Sequence, residues 1–112
     1  MPISSRALPS RILWAAAFAL TLAASAPAVA KEVTVTIQNF AFAPANAAIA
    51  AGDTVTFVNG DDTIHSIVAD DGSFHSEGLD TGDKVSFPFA KGGTFGYHCG
   101  LHPFMKGQIV VK

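Results

Sequence analysis

From residue 32 onward the chain is a series of short apolar–polar alternations broken by turn formers, and this period of two narrows the available folds more than any other feature. Val33, Val35 and Ile37 share one parity, with Thr34, Thr36 and Gln38 on the other. Val55 and Phe57 repeat the pattern within Thr54 to Val58, as do Val85, Phe87 and Phe89, and then Phe95, Tyr97 and Cys99. Gly52-Asp53, Asn59-Gly60-Asp61-Asp62 and Lys91-Gly92-Gly93 mark turns between these runs. Pro44 restricts the aromatic stretch Asn39 to Ala43 to a sheet edge or a bend. Ala45 to Ala51 has helical composition but is too short for a stable helix, so a short strand is expected around Ala47 to Ala50.

Ile64 to Ala69 reads as the strand that carries His65, Asp70 to Asp83 as a polar surface loop, and Gln108 to Val111 as the last strand. No segment has a helical period. The class predicted is all-β, an antiparallel β-sandwich with Greek-key connections.

The first thirty residues stand apart from this pattern. Arg6 and Arg11 precede thirteen uncharged residues, Ile12 to Ala24, and Ala28-Val29-Ala30 is a small-x-small site. Thirteen residues fall short of the roughly 20 that span a bilayer, so a secretory signal peptide cleaved after Ala30 is expected rather than a membrane anchor. Residues 31–112 then form one domain, exported to the periplasm or secreted and read as a monomer. That domain carries five lysines against nine carboxylates, which disfavours nucleic acid and leaves room for a positively charged partner surface.

Cys99 is the only cysteine, so no intramolecular disulfide can form, and a lone thiol in an oxidising compartment needs an occupant. A metal would supply one. Cys99, His102 and Met105 stand at i, i+3 and i+6 between two predicted strands, and Pro103 keeps His102 out of the helical region. Thiolate, thioether and imidazole together suit copper, above all the set of two His, one Cys and a weak axial Met. His65 is the candidate for the second imidazole. His98 has the opposite parity to Cys99, and His75 lies in the polar loop, so neither is expected at the metal.

The sequence resembles the cupredoxins, and among them the short-loop amicyanin group. The resemblance rests on Phe40 to Pro44, Gly52 to Asn59, His65, and Gly93 to the C-terminus, with Tyr97-His98-Cys99, His102-Pro103-Phe104-Met105 and Gly107 as its most specific part. It implies the cupredoxin fold for residues 31–112 and one type 1 copper ion held by His65, Cys99, His102 and Met105. It also implies outer-sphere electron transfer without catalysis, between redox proteins such as a dehydrogenase, a c-type cytochrome or another periplasmic carrier.

Docking is expected near Leu101, His102, Pro103 and Phe104. Two positions depart from the family pattern: Ser66 stands where Asn commonly ties the ligand loops together, and Gly100 where a hydroxyl residue often follows the Cys ligand. Asn59 matches a bridging position but has only backbone to bridge to at Gly100. Copper storage or delivery through the same ligands is the alternative. A thiol hydrolase using Cys99 and an adhesion sandwich are weaker readings, since neither accounts for the ligand spacing.

Overall fold

The computed structural model describes residues 29–112; the segment read as a signal peptide lies, apart from Val29 and Ala30, outside the described residues. Eight strands follow one another: β1 (Glu32–Gln38), β2 (Ala41–Ala43), β3 (Asn46–Ile49), β4 (Thr54–Asn59), β5 (Val68–Ala69), β6 (Lys84–Pro88), β7 (Gly93–His98) and β8 (Lys106–Val111). They form two four-stranded sheets, ordered β2-β1-β4-β6 and β3-β8-β7-β5.

The all-β sandwich is as expected, but its sheets are mixed rather than wholly antiparallel. β1 pairs parallel with β4, and β3 parallel with β8. Parallel neighbours need a long connection. Residues 39–53 provide it for β1 and β4, because the chain folds back as β2, crosses to the other sheet as β3, and re-enters beside β1 in the original direction.

Alternation decides which side chains meet between the sheets. Val35, Ile37, Val55 and Phe57 enter from one sheet, and Ala47, Ile49, Tyr97, Ile109 and Val111 from the other, all buried. Each large side chain removed from water in this way contributes about 1.5–3 kcal/mol before entropy is counted. Tyr97 packs edge-on against Phe42 and Phe57, with ring centroids 4.8 Å and 5.1 Å away. Gly107 on β8 lies against the Tyr97 hydroxyl and within 3.0 Å of the Ala45 carbonyl, measured from where a Cβ would be, so no side chain fits there.

His65 is not on a regular strand as the sequence suggested. The ladder at this edge is limited to Val68–Ala69, and His65 instead exchanges two backbone hydrogen bonds with Leu79, His65 N to Leu79 O at 3.1 Å and Leu79 N to His65 O at 2.6 Å. The polar 70–83 loop thus anchors the segment, through buried Leu79 at His65 and through Phe74 O and Ser76 N at Ala69 and Ile67.

Carboxylates brace both ends of β4. Before the strand, Asp53 accepts the backbone N–H of Lys31 on Oδ1 at 2.9 Å and that of Ala50 on Oδ2 at 3.0 Å. These bonds, that of Lys31 foremost, hold its carboxyl below the ordinary value of 3.8. A depressed folded value adds stability that is complete above 3.8 and is withdrawn as pH falls through the folded value. Asp53→Asn is therefore expected to be less stable than the parent near neutral pH, and the gap should close on acidification below 3.8. Urea unfolding across that range measures it, and a gap independent of pH would contradict the assignment.

Candidate metal centre

The β7–β8 hairpin presents three of the candidate ligands. Its last cross-strand pair is His98 with Lys106, and the seven residues between them, Cys99 to Met105, form the connecting loop. Two backbone bonds tighten the loop: Cys99 N donates to Met105 O at 3.1 Å, and Met105 N to His102 O at 2.9 Å. The extended parity of β7 carries Cys99 inward after Tyr97, and Cys99 and Met105 are both buried while His102 is half-buried. His65 reaches the same point from the segment between β4 and β5 and has no exposed surface.

The donor atoms converge. Cys99 Sγ lies 3.7 Å from His65 Nδ1 and 3.6 Å from His102 Nδ1, and one ligand atom from each of the three residues lies within 4.8 Å of the others. Metal–sulfur and metal–nitrogen bonds of about 2.3 Å and 2.0 Å, opened to a tetrahedral or trigonal angle, put sulfur and nitrogen about 3.6 Å apart. The three donors are therefore spaced for one shared ion of that size. The soft thiolate, and Met105 closing the same loop, favour copper among the ions that would fit.

The surroundings fix how the ligands face. His65 Nε2 is 2.9 Å from Asp61 Oδ2; an ionised carboxylate only accepts, so Nε2 carries the proton and Nδ1 presents its lone pair toward Cys99. Ser66 N donates to Cys99 Sγ at 3.4 Å. Asp61 is buried, and its carboxyl is held below its ordinary value, first by the Phe40 N–H and also by His65.

Phe40 covers the site. Its ring stands edge-on to both imidazoles, with centroids 5.2 Å from His65 and 5.1 Å from His102, and it stacks on Phe104 at 6.5 Å. Asp61 and Phe40 were not singled out from the sequence. In the sequence Asp61 reads as one more turn residue, although its place four residues before His65 is a usable signal, and Phe40 reads as an edge-strand aromatic.

The two departures at Ser66 and Gly100 prove to be a matched pair. Gly100 N donates to Ser66 Oγ at 3.0 Å, tying the segment of His65 to the ligand loop. A Cβ at residue 100 would lie 2.8 Å from that oxygen and 3.1 Å from Val68 Cγ2, so the hydroxyl needs the glycine. Asn59 does not bridge to the ligand loop: its amide nitrogen donates to Thr63 O and Leu79 O, at 2.9 Å and 2.7 Å, and its oxygen accepts Asp61 N. His98 pairs outward with Asp70 at 2.7 Å, and His75 is exposed, so neither joins the cluster.

The chain belongs to the cupredoxins: the family model described as a cupredoxin-like domain matches residues 10–111. Among characterised proteins it is similar to amicyanin from Paracoccus versutus, at 29% identity over 80% of this chain and 71% of the relative. It is also similar to amicyanin-alpha from Methylorubrum extorquens, at 33% over 87% and 84%. Among solved structures, a purple cupredoxin from Nitrosopumilus maritimus superposes with a TM-score of 0.67 at 30% identity, covering 71% of this chain and 99% of that one. An oxidised amicyanin mutant superposes with a TM-score of 0.68 at 27% identity, over 71% and 81%. Family and donor set together define a copper electron-transfer protein with one type 1 copper ion as its cofactor.

Gly100→Ala should destabilise the protein by about 1–3 kcal/mol through overpacking against Ser66 and Val68. Because Ser66 and Gly100 share one contact, Ser66→Ala combined with Gly100→Ala should cost less than the two single changes added together. Denaturant melts of the four proteins check the coupling; strict additivity would refute it.

Proposed function

We propose that this protein is a periplasmic one-electron carrier whose type 1 copper would be held by Cys99, His65 and His102, with Met105 as the weak fourth ligand. The observation that carries this reading is the convergence of one buried cysteine sulfur and two Nδ1 atoms at a loop closed by backbone hydrogen bonds. When bound, the ion supplies a Cu(II)/Cu(I) couple. The protein's part is to hold the donors nearly still, so that little reorganisation accompanies the gain or loss of an electron. A site closed on its inner side by Cys99, His65 and Met105 offers no position for a substrate, which favours electron transfer over catalysis.

The partner surface is proposed at the exposed end of the site. Leu101 and Phe104 are 53% and 70% exposed, and Phe40, at 41%, extends the apolar surface beside His102 and Phe104. An apolar rim beside a half-buried ligand suits transient docking of a dehydrogenase, a c-type cytochrome or another redox carrier at Leu101, His102, Pro103 and Phe104.

Residues 1–30 are proposed as a signal peptide and residues 31–112 as the mature domain. Val29 is 83% exposed, whereas Lys31 N is held by Asp53. Cleavage after Ala30 would make that nitrogen an ammonium already 2.9 Å from a carboxylate oxygen. Among the described residues no helix is long and apolar enough to cross a membrane.

Residues 31–112 loaded with Cu(II) should show an intense thiolate-to-copper absorption and narrow EPR hyperfine splitting, both lost in Cys99→Ser. A pale tetragonal spectrum unchanged by that substitution would reject the site, and rapid surrender of Cu(I) to a chelator would favour storage or delivery instead. Leu101→Asp with Phe104→Asp should slow transfer to a redox partner about tenfold or more, since loss of a central apolar anchor costs about 1–2 kcal/mol. Stopped-flow kinetics on the folded, copper-loaded variant reads this, and unchanged rates with every partner tried would disprove the patch.

A further inference from the structure

Asp61 makes contacts that its place in a turn does not require. Oδ1 accepts the backbone N–H of Asn39 at 2.6 Å. Oδ2 accepts the N–H of Phe40 at 2.9 Å and His65 Nε2–H, also at 2.9 Å. Asn39 and Phe40 both adopt left-handed backbone, with φ of 54° and 56°. That conformation is tolerable for Asn and costly for Phe, and it persists only where the surroundings enforce it. Two successive N–H groups in such a turn form a concave anion seat. Here the seat is filled by a side chain rather than by a bound anion, and the same side chain holds a ligand imidazole.

We infer that Asp61 is a positioning residue that couples the electronic state of the metal site to its aromatic cover, one carboxylate setting both the imidazole of His65 and the strained turn that keeps Phe40 over His65 and His102. The inference rests on the copper electron-carrier reading and deepens it. Three donors converge on two oxygens, and an ionised carboxylate, acceptor-only and with room for all three, matches them without a proton of its own to place. A charged acceptor on Nε2–H makes the imidazole a stronger donor through Nδ1 and favours the more highly charged Cu(II). Substituting Asn leaves one accepting oxygen and turns an NH2 group toward at least one of the same donors. The Cu(II)-favouring bond and the anchor of Phe40 are then lost or weakened together.

Asp53 is the matching control. It also accepts two backbone N–H groups through one carboxylate, but from Lys31 and Ala50 before β4, with no ligand among its partners. In Asp61→Asn the Cu(I)/Cu(II) ratio at a fixed electrode potential should rise about tenfold, which is about 59 mV for a one-electron couple. In Asp53→Asn the ratio should stay unchanged, even though that variant is also less stable.

Nitrogen NMR of the metal-free wild-type protein at mildly alkaline pH provides the second readout. His65 should be the Nε2–H tautomer, and NOEs should link the Phe40 ring to both imidazoles; in Asp61→Asn those NOEs should weaken. A folded Asp61→Asn protein with an unchanged ratio would reduce Asp61 to a loop brace and overturn the inference. So would a wild-type His65 found as the Nδ1–H tautomer, a result available even if the variant does not fold. The metal-free NMR does not depend on the Cu(II) spectrum, so failure of the copper reading and failure of the Asp61 assignment are told apart.

Discussion

The register of β7 against β8 governs the whole metal end of the molecule. From Gly93 opposite Val111 to His98 opposite Lys106 the two strands run as an unbroken antiparallel ladder, and the ligand loop begins at the next residue. A side-chain period of two means that a slip by one residue would turn Cys99 outward and bring His98 inward. The register is held from the core side by Tyr97, edge-on to Phe42 and Phe57, and by Gly107, whose missing side chain leaves room for the tyrosine hydroxyl. The position of a sulfur atom at one end of the sandwich thus follows from aromatic packing two residues earlier.

Much of this could be read from the sequence because it is written in local patterns. Alternation located β1, β4, β6 and β7, and the spacing of Cys99, His102 and Met105 located the loop. What escaped was non-local. The parallel pairing of β1 with β4 depends on where the chain goes between them, and nothing in either strand encodes a neighbour's direction. His65 sits in irregular backbone because Leu79, fourteen residues further on, supplies its partner groups. Asp61 was hidden for a similar reason: its sequence neighbourhood describes a turn, while its bonds reach back to Asn39 and Phe40. Phe40 could not be read as a cover without knowing that its backbone is left-handed.

Ser66 and Gly100 show how two departures from a family pattern can still leave the two segments tied together. Taken singly, each removes a group that commonly links the ligand loops. Together they rebuild the link with a shorter reach, a side-chain hydroxyl accepting from the backbone of a residue with no side chain. The tie here runs from backbone to hydroxyl, and the close approach that makes it possible leaves no room for a side chain at residue 100.

The burial of Cys99 has a consequence for the protein before it acquires any metal. Its sulfur has no exposed surface and receives a backbone N–H from Ser66. A thiol must be reached by an oxidant or a second sulfur to form sulfenic acid or a mixed disulfide. Once the chain is folded, burial shields its one cysteine from both kinds of reagent. The sandwich works as a protective case for a reactive atom, keeping its sulfur available to a metal.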